Sequence, residues 1–203
     1  VIFDDVNFIK KGYINKNSIL VSGSVSKFTL QLKKASQNKL INEIEVGENS
    51  EQLLKTITMA YKKAPYFNAV FPLLEKILNK EEKNLARFIG FSLFKISEYL
   101  GIDVRLIYSS AIEKDNDFKG KDKIISIVKA LDASDYINAV GGKALYDRDV
   151  FKKENISLNF IEMGHIEYKQ FENDFVPHLS IIDVMMFNDV SEVKEMLSNY
   201  ELV

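Results

Sequence analysis

Residues 120–163 read GKDKIISIVKALDASDYINAVGGKALYDRDVFKKENISLNFIEM, and their punctuation decides the fold. Ile124, Ile127, Val128 and Leu131 recur at helical spacing, so residues 120–133 are expected to form an amphipathic helix. Tyr136 to Val140 is a short apolar run closed by Gly141-Gly142, which reads as a strand and its turn. A short helix is expected over 143–154, and Ser157 to Met163 reads as another strand. Upstream, Val104 to Tyr108 is apolar and β-branched and reads as a further strand. Strand, helix, strand, helix, strand predicts parallel pairing with right-handed crossovers.

Toward the front the pattern changes. Residues 18–33 alternate apolar and polar positions on either side of Ser22-Gly23-Ser24, a hairpin signature. Ile41 to Val46 alternates as well, with Ile44 and Val46 on one face. Asn49 to Gln52 offers a capping-box start to a helix carrying Leu53, Leu54, Ile57 and Tyr61. Ala64-Pro65 ends it, because the residue before proline avoids helical angles. Helices are expected at 66–79 and at about 84–99, the latter stopped by Gly101. Residues 1–5 read as a strand, and 181–187 and 190–199 as helices. The fold expected is one α/β domain over 1–203. It has a mixed sheet with parallel core strands, an antiparallel hairpin in the first half and helices packed on the faces.

Composition narrows the function. Apolar residues make up 46% of 203 and charged residues 28%, ordinary globular usage. Net charge is −2, so the basic excess of a duplex binder is missing despite the cluster Lys119, Lys121 and Lys123; nucleic acid is not the expected partner. No cysteine is present, which removes disulfides, thiolate zinc sites and cysteine nucleophiles. That fits a reducing compartment, and with no apolar run of membrane-spanning length and no signal peptide the expected location is cytoplasmic. The sequence opens on Val1-Ile2-Phe3-Asp4-Asp5 without an initiator Met, so an upstream segment is expected to be missing.

Several groups carry candidate chemistry. Asp4 and Asp5 stand where a first strand ends, the place where open α/β sheets bind ligands. They could hold a metal, a hydroxyl or an amine, or merely cap a turn. Lys10, Lys11 and Lys16 suit a phosphate, and Asn15 and Asn17 lie on one side of an extended segment, where amides read hydroxyls. The competing reading is a solvated loop with turn-forming asparagines. Gly141 and Gly142 either let a backbone approach a ligand or form a positive-φ turn; they complete no nucleotide fingerprint. His178 could act as a general base, while Ser180 and Asp183 after it form a capping signature. No Gly-x-Ser-x-Gly elbow occurs, and the two histidines stand thirteen apart, against a histidine metal site.

Three segments together resemble the WbqC-like family. The first runs Phe3-Asp4-Asp5-Val6-Asn7-Phe8-Ile9-Lys10-Lys11-Gly12-Tyr13-Ile14-Asn15-Lys16-Asn17. The second is Tyr136-Ile137-Asn138 with Gly141-Gly142, and the third is Phe175-Val176-Pro177-His178-Leu179-Ser180-Ile181-Ile182-Asp183. Tyr61-Lys62-Lys63-Ala64-Pro65 also fits. The resemblance spans nearly the whole chain but lacks the family's opening strand and Gln-Pro-aromatic segment. It implies a role in bacterial surface polysaccharide, or O-antigen, production. The activity expected is a transferase on a sugar or nucleotide-sugar. Asp4, Asp5 and His178 are then the catalytic candidates, and Lys10, Lys11, Asn15, Lys16, Asn17, Gly141 and Gly142 the binding ones. No cofactor and no metal ligand is assigned, and a carboxylate-bound Mg²⁺ through Asp4 and Asp5 stays open. The alternatives are a non-catalytic subunit with glycan-assembly protein partners, and a nucleotide-binding enzyme whose phosphate loop lies upstream.

Overall fold

The computed structural model describes residues 1–203 apart from Lys11, Asn116 and Asn173. The chain is of the α/β class and divides into two compact units. One comprises Ile2–Leu106 and Glu167–Met196; the other comprises Val1, Ile107–Ile166 and Leu197–Val203.

In the larger unit the expected hairpin is present. Strand β1 (Lys16–Val21) pairs antiparallel with β2 (Ser24–Thr29), in register from Lys16↔Thr29 to Val21↔Ser24. The two turn residues have φ of 50° (Ser22) and 75° (Gly23). Positive φ at both positions is the primed turn whose twist matches that of paired strands. Ile19 and Leu20 are both fully buried at the hairpin's centre. Two short strands, β3 (Leu32–Lys33) and β4 (Glu45–Val46), pair antiparallel beside it.

Helices α1 (Ser50–Tyr61), α2 (Phe67–Leu78) and α3 (Leu85–Tyr99) follow where apolar spacing predicts them. The next two helices, α4 (Gly120–Ala130) and α5 (Arg148–Lys153), belong to the smaller unit, and α6 (Ile181–Phe187) and α7 (Val190–Ser198) return after it. Their inward faces join the hairpin in one apolar core, with Ile57, Tyr61, Val70, Leu85 and Met185 fully buried.

Three local expectations are corrected here. Residues 1–5 form no continuous strand, because the pairing falls later: Asp4 to Phe8 run antiparallel against 39–42, with Asn42 N–H donating to Asp4 O and Ile41 N–H to Val6 O. Ile41 to Val46 is strand only at its end. Ile41–Glu43 turns as a 3₁₀ helix because the Glu43 carboxylate accepts from Leu40 N–H at 2.8 Å. Asn49 does not cap α1 with its side chain. That amide accepts from Gln31 N–H and donates to Thr29 O, both at 3.0 Å, tying the helix start to the chain leaving β2.

The smaller unit carries α4 (Gly120–Ala130), β5 (Asp135–Ala139), α5 (Arg148–Lys153), β6 (Ser157–Met163) and β7 (Tyr200–Leu202). Its sheet has the order β5-β6-β7. The first pair is parallel, as the strand–helix–strand pattern predicts, and the second is antiparallel. Leu158 and Phe160 are buried on one face. The Tyr136 ring stacks on Phe151 at 5.9 Å. Val104 to Tyr108 makes no strand beyond a single bridge at Tyr108. Apolar, β-branched composition alone does not make a strand; pairing with another segment does. Among the described residues no helix is long and apolar enough to cross a membrane.

Candidate functional site

The candidate residues at the front of the chain separate by burial. Asp4 is buried, and its Oδ2 accepts from Asn42 Nδ2 at 3.2 Å. Asn84, the N-cap of α3, donates in turn to Asn42 O at 2.6 Å. Asp4 is therefore part of a polar chain that anchors α3, and it lies inside a pairing rather than at a strand's end. Asp5 is half-buried.

Ile9, Lys10 and Tyr13 are exposed, Tyr13 by 87%. Lys16 Nζ donates to Lys10 O at 3.4 Å, so the two lysines share one place. Lys11 lies outside the described residues. Asn15 is held by the hairpin: its Nδ2 donates to Leu30 O at 2.7 Å, and Leu30 N–H returns a bond to Asn15 O. Asn17 Oδ1 accepts from Ser18 N–H at 2.8 Å, which leaves its Nδ2 to solvent. Tyr13 had no periodic or capping signal in the sequence; its exposure, with Lys16 N–H donating to Tyr13 O at 3.4 Å, marks it.

The far end of the chain is brought to this segment. Ser180 N–H donates to Ser18 O at 2.8 Å, along the edge of β1 that faces away from β2. His178, two residues earlier, is exposed, has φ of 61° and makes no hydrogen bond among the described residues. The Ser180 hydroxyl caps α6 by accepting from Ile182 N–H at 3.3 Å. Ser18, Ser180 and His178 thus place a histidine near the strand that begins with Lys16 and Asn17.

Asp183 corrects the other half of the capping expectation. Its side chain is fully buried and serves no helix end. Its Oδ1 accepts from the Tyr61 hydroxyl at 2.7 Å; its Oδ2 accepts from the Tyr168 hydroxyl and from Gln170 Nε2, each at 2.7 Å. Three strong donors compensate a carboxylate that would otherwise be too costly to bury. The Tyr61 oxygen also accepts from Leu20 N–H at 2.9 Å, on the same β1 edge as Ser18. Gln170 is itself buried and exchanges bonds with both backbone groups of Val176. Burial first, then Asp183, pushes the Tyr61 and Tyr168 hydroxyls well above the usual tyrosine range, so both remain donors. This hub fixes the segment that carries His178 against β1.

Gly141 and Gly142 lie in the smaller unit, in a 3₁₀ turn after β5. Neither has positive φ. A Cβ on Gly142 would stand 2.5 Å from Asn138 Nδ2, whereas one on Gly141 would meet nothing within 4 Å. Close approach of Asn138, not turn geometry, demands the second glycine. Among the described residues no three His, Asp or Glu side chains gather to hold a metal ion.

Comparison with known proteins agrees with the pattern of motifs. An uncharacterised protein of Mycobacterium tuberculosis, Rv1507c, is 26% identical over 203 residues, covering 97% of this chain and 86% of that protein. No solved structure matches the chain. The family model described as the WbqC-like protein family matches residues 1–195, from Asp4 and Asp5 through the α6 segment, and the chain belongs to that family.

Proposed function

We propose that this protein is a transferase that modifies a sugar or an activated sugar precursor during bacterial surface polysaccharide, or O-antigen, biosynthesis. The observation that carries the reading is the bond from Ser180 N–H to Ser18 O, which sets an unbonded His178 beside the strand opened by Lys16 and Asn17. Lys10, Lys11 and Lys16 bind the phosphate of the donor. The exposed Tyr13 ring gives a flat apolar surface for a sugar ring, and Asn17 Nδ2 donates to a hydroxyl. His178, or the half-buried Asp5, removes the proton of the attacking acceptor group, since either can transfer a proton near neutral pH when correctly placed. Asp4 and Asn15 hold this segment in shape. The reaction is placed where the cations sit, because a phosphorylated leaving group gains most from charge close to its oxygens.

The test is genetic and chemical together. Deleting the gene in its host should alter surface polysaccharide. The wild-type gene should restore it; Asp5→Asn and His178→Ala, produced at equal level, should not. Full restoration by both variants, or an unaltered polysaccharide in the deletion strain, would contradict the proposal.

One observation favours a second reading, a non-catalytic subunit. Ile137, Met163, Tyr200 and Leu202 lie on one face of the β5-β6-β7 sheet and are each 44–51% exposed. A parallel pair is ordinarily covered on both faces. A protein partner whose binding is lost in Ile137→Asp, with polysaccharide unchanged in the His178 and Asp5 variants, would favour that reading.

A further inference from the structure

Two adjoining clefts of the smaller unit meet at Arg148. One, of about 520 Å³, is lined by Arg148, Lys152, Asn155 and the start of β6 from Ile156 to Asn159. The other, of about 480 Å³, is lined by Lys143, Tyr146, Arg148, Phe160 and Val203. No acidic side chain lines either. Lys143 is 3.8 Å from Glu162, a separation typical of a weak, exposed ion pair. Arg148 and Lys152 have no carboxylate partner among the described residues.

The two cations are held by the fold. Asp147 caps α5 through Asp149 N–H, so its carboxylate is engaged there, and Arg148 begins the helix. The Arg148 guanidinium lies over the Phe160 ring, 5.8 Å from its centroid. This cation–π contact helps keep the guanidinium at the cleft, where its fork can offer two parallel N–H donors to one acceptor. Lys152 is four residues on, hence on the same side of the helix. Asn155, with φ of 59°, turns the chain from α5 into β6, so that its amide and that of Asn159 border the same cleft. Asn159 Nδ2 donates to Ser157 Oγ at 3.1 Å.

We propose that this cleft binds the diphosphate group of a small phosphorylated ligand. Arg148 takes two oxygens of one phosphate in its fork, Lys152 neutralises the second, and the Asn155 amide donates to a bridging or terminal oxygen. A planar bidentate donor beside a compact ammonium, with no acidic side chain lining the cleft, is the chemistry that recognises such an anion. The volume lies in the range of small-molecule pockets, roughly 300–1,000 Å³. The site belongs to a different unit from the His178 segment and does not rest on the function proposed for that segment.

The experiment is isothermal titration of the whole chain with inorganic pyrophosphate at low ionic strength. Saturable 1:1 binding is expected. It should weaken by about tenfold or more in Arg148→Met and in Lys152→Met, the loss of one charge-assisted hydrogen bond. Arg148→Lys should fall between, since it keeps the charge and loses the fork. Lys27→Met, a change at an exposed lysine of β2, should bind as the wild type does. Unaltered far-UV circular dichroism and Tm in Lys152→Met secure the comparison if Arg148→Met folds poorly. Absence of saturable binding, or equal affinity in the Arg148→Met/Lys152→Met double variant, would overturn the proposal. So would binding lost in Lys16→Met and kept in Arg148→Met.

Discussion

The Tyr61 hydroxyl donates to Asp183 Oδ1 at 2.7 Å, joining the end of α1 to α6 across 122 positions of sequence. The same oxygen accepts from Leu20 N–H, so one side chain connects the hairpin, a helix and the returning C-terminal segment. Removing that oxygen leaves a buried donor and weakens the compensation of a buried carboxylate. Tyr61→Phe should cost about 1–3 kcal/mol in denaturant unfolding, and Asp183→Ala should cost more because three donors lose their acceptor. A Tyr61→Phe variant as stable as the wild type would remove the hub from the account.

Stability should fall on the alkaline side. In the folded chain the Tyr61 and Tyr168 hydroxyls are held protonated well above the ordinary range. The unfolded chain releases those protons near pH 10. Above that pH the unfolded state binds fewer protons, so the contribution present at lower pH is lost as pH rises. Urea midpoints measured from pH 8 to 11 should drop, and the drop should be smaller in Tyr61→Phe. Tyr136, in the smaller unit, is pushed up to about 12, chiefly by burial, so one tyrosine absent from Tyr136→Phe should be among the last seen by absorbance during alkaline titration.

Much of this architecture was legible because its causes are local. Helical spacing marked α1 to α4, and Ser22-Gly23-Ser24 marked the hairpin, whose turn has positive φ at Ser22 and Gly23. The strand–helix–strand rhythm gave the parallel pairing of β5 and β6. What was illegible depends on partners distant in sequence. Val104 to Tyr108 has strand composition but is bridged only at Tyr108 among the described residues, and Asp4 pairs against 39–42 instead of ending a strand. Asp183 looked like a cap because Ser-x-x-Asp is a local pattern; its true partners, Tyr61 and Tyr168, are set by packing. β7 lies beyond the last helix expected and carried no signal of its own, since Tyr200 to Leu202 is a strand only by virtue of β6 beside it.

The glycine pair should respond unequally to alanine. At Gly142 the new Cβ would press on Asn138, whose Oδ1 is tied to Ala139 N–H, so the side chain does not move aside freely. Overpacking of this kind costs about 1–3 kcal/mol. Gly141→Ala meets open space and should be neutral or slightly stabilising, by less than about 1 kcal/mol. Differential unfolding of the two variants decides it; equal effects would contradict the steric account.

The hairpin turn gives a stabilising prediction. Ser22 adopts φ of 50°, where asparagine is far better tolerated than serine. Ser22→Asn should raise stability by a few tenths of a kcal/mol, while Gly23→Ala, at φ of 75°, should lower it by about 1 kcal/mol. Thermal melts of the two variants should move in opposite directions.

The central claim, that the segment bearing Lys10, Tyr13, Lys16 and Asn17 binds substrate beside His178, is tested most directly by ligand-induced thermal stabilisation. Nucleotide sugars, sugar phosphates and acyl-CoAs would be screened against the chain in an Arg148→Met background, so that the second anion site does not contribute. At about 100 times Kd a ligand adds about 2.7 kcal/mol, roughly 5–10 °C for a chain of this size. Such a shift is expected with one class of sugar donor and should be abolished in Lys16→Ala and in Tyr13→Ala, whose own unliganded Tm is unchanged. A shift that survives both substitutions, or no shift with any sugar compound, would contradict it.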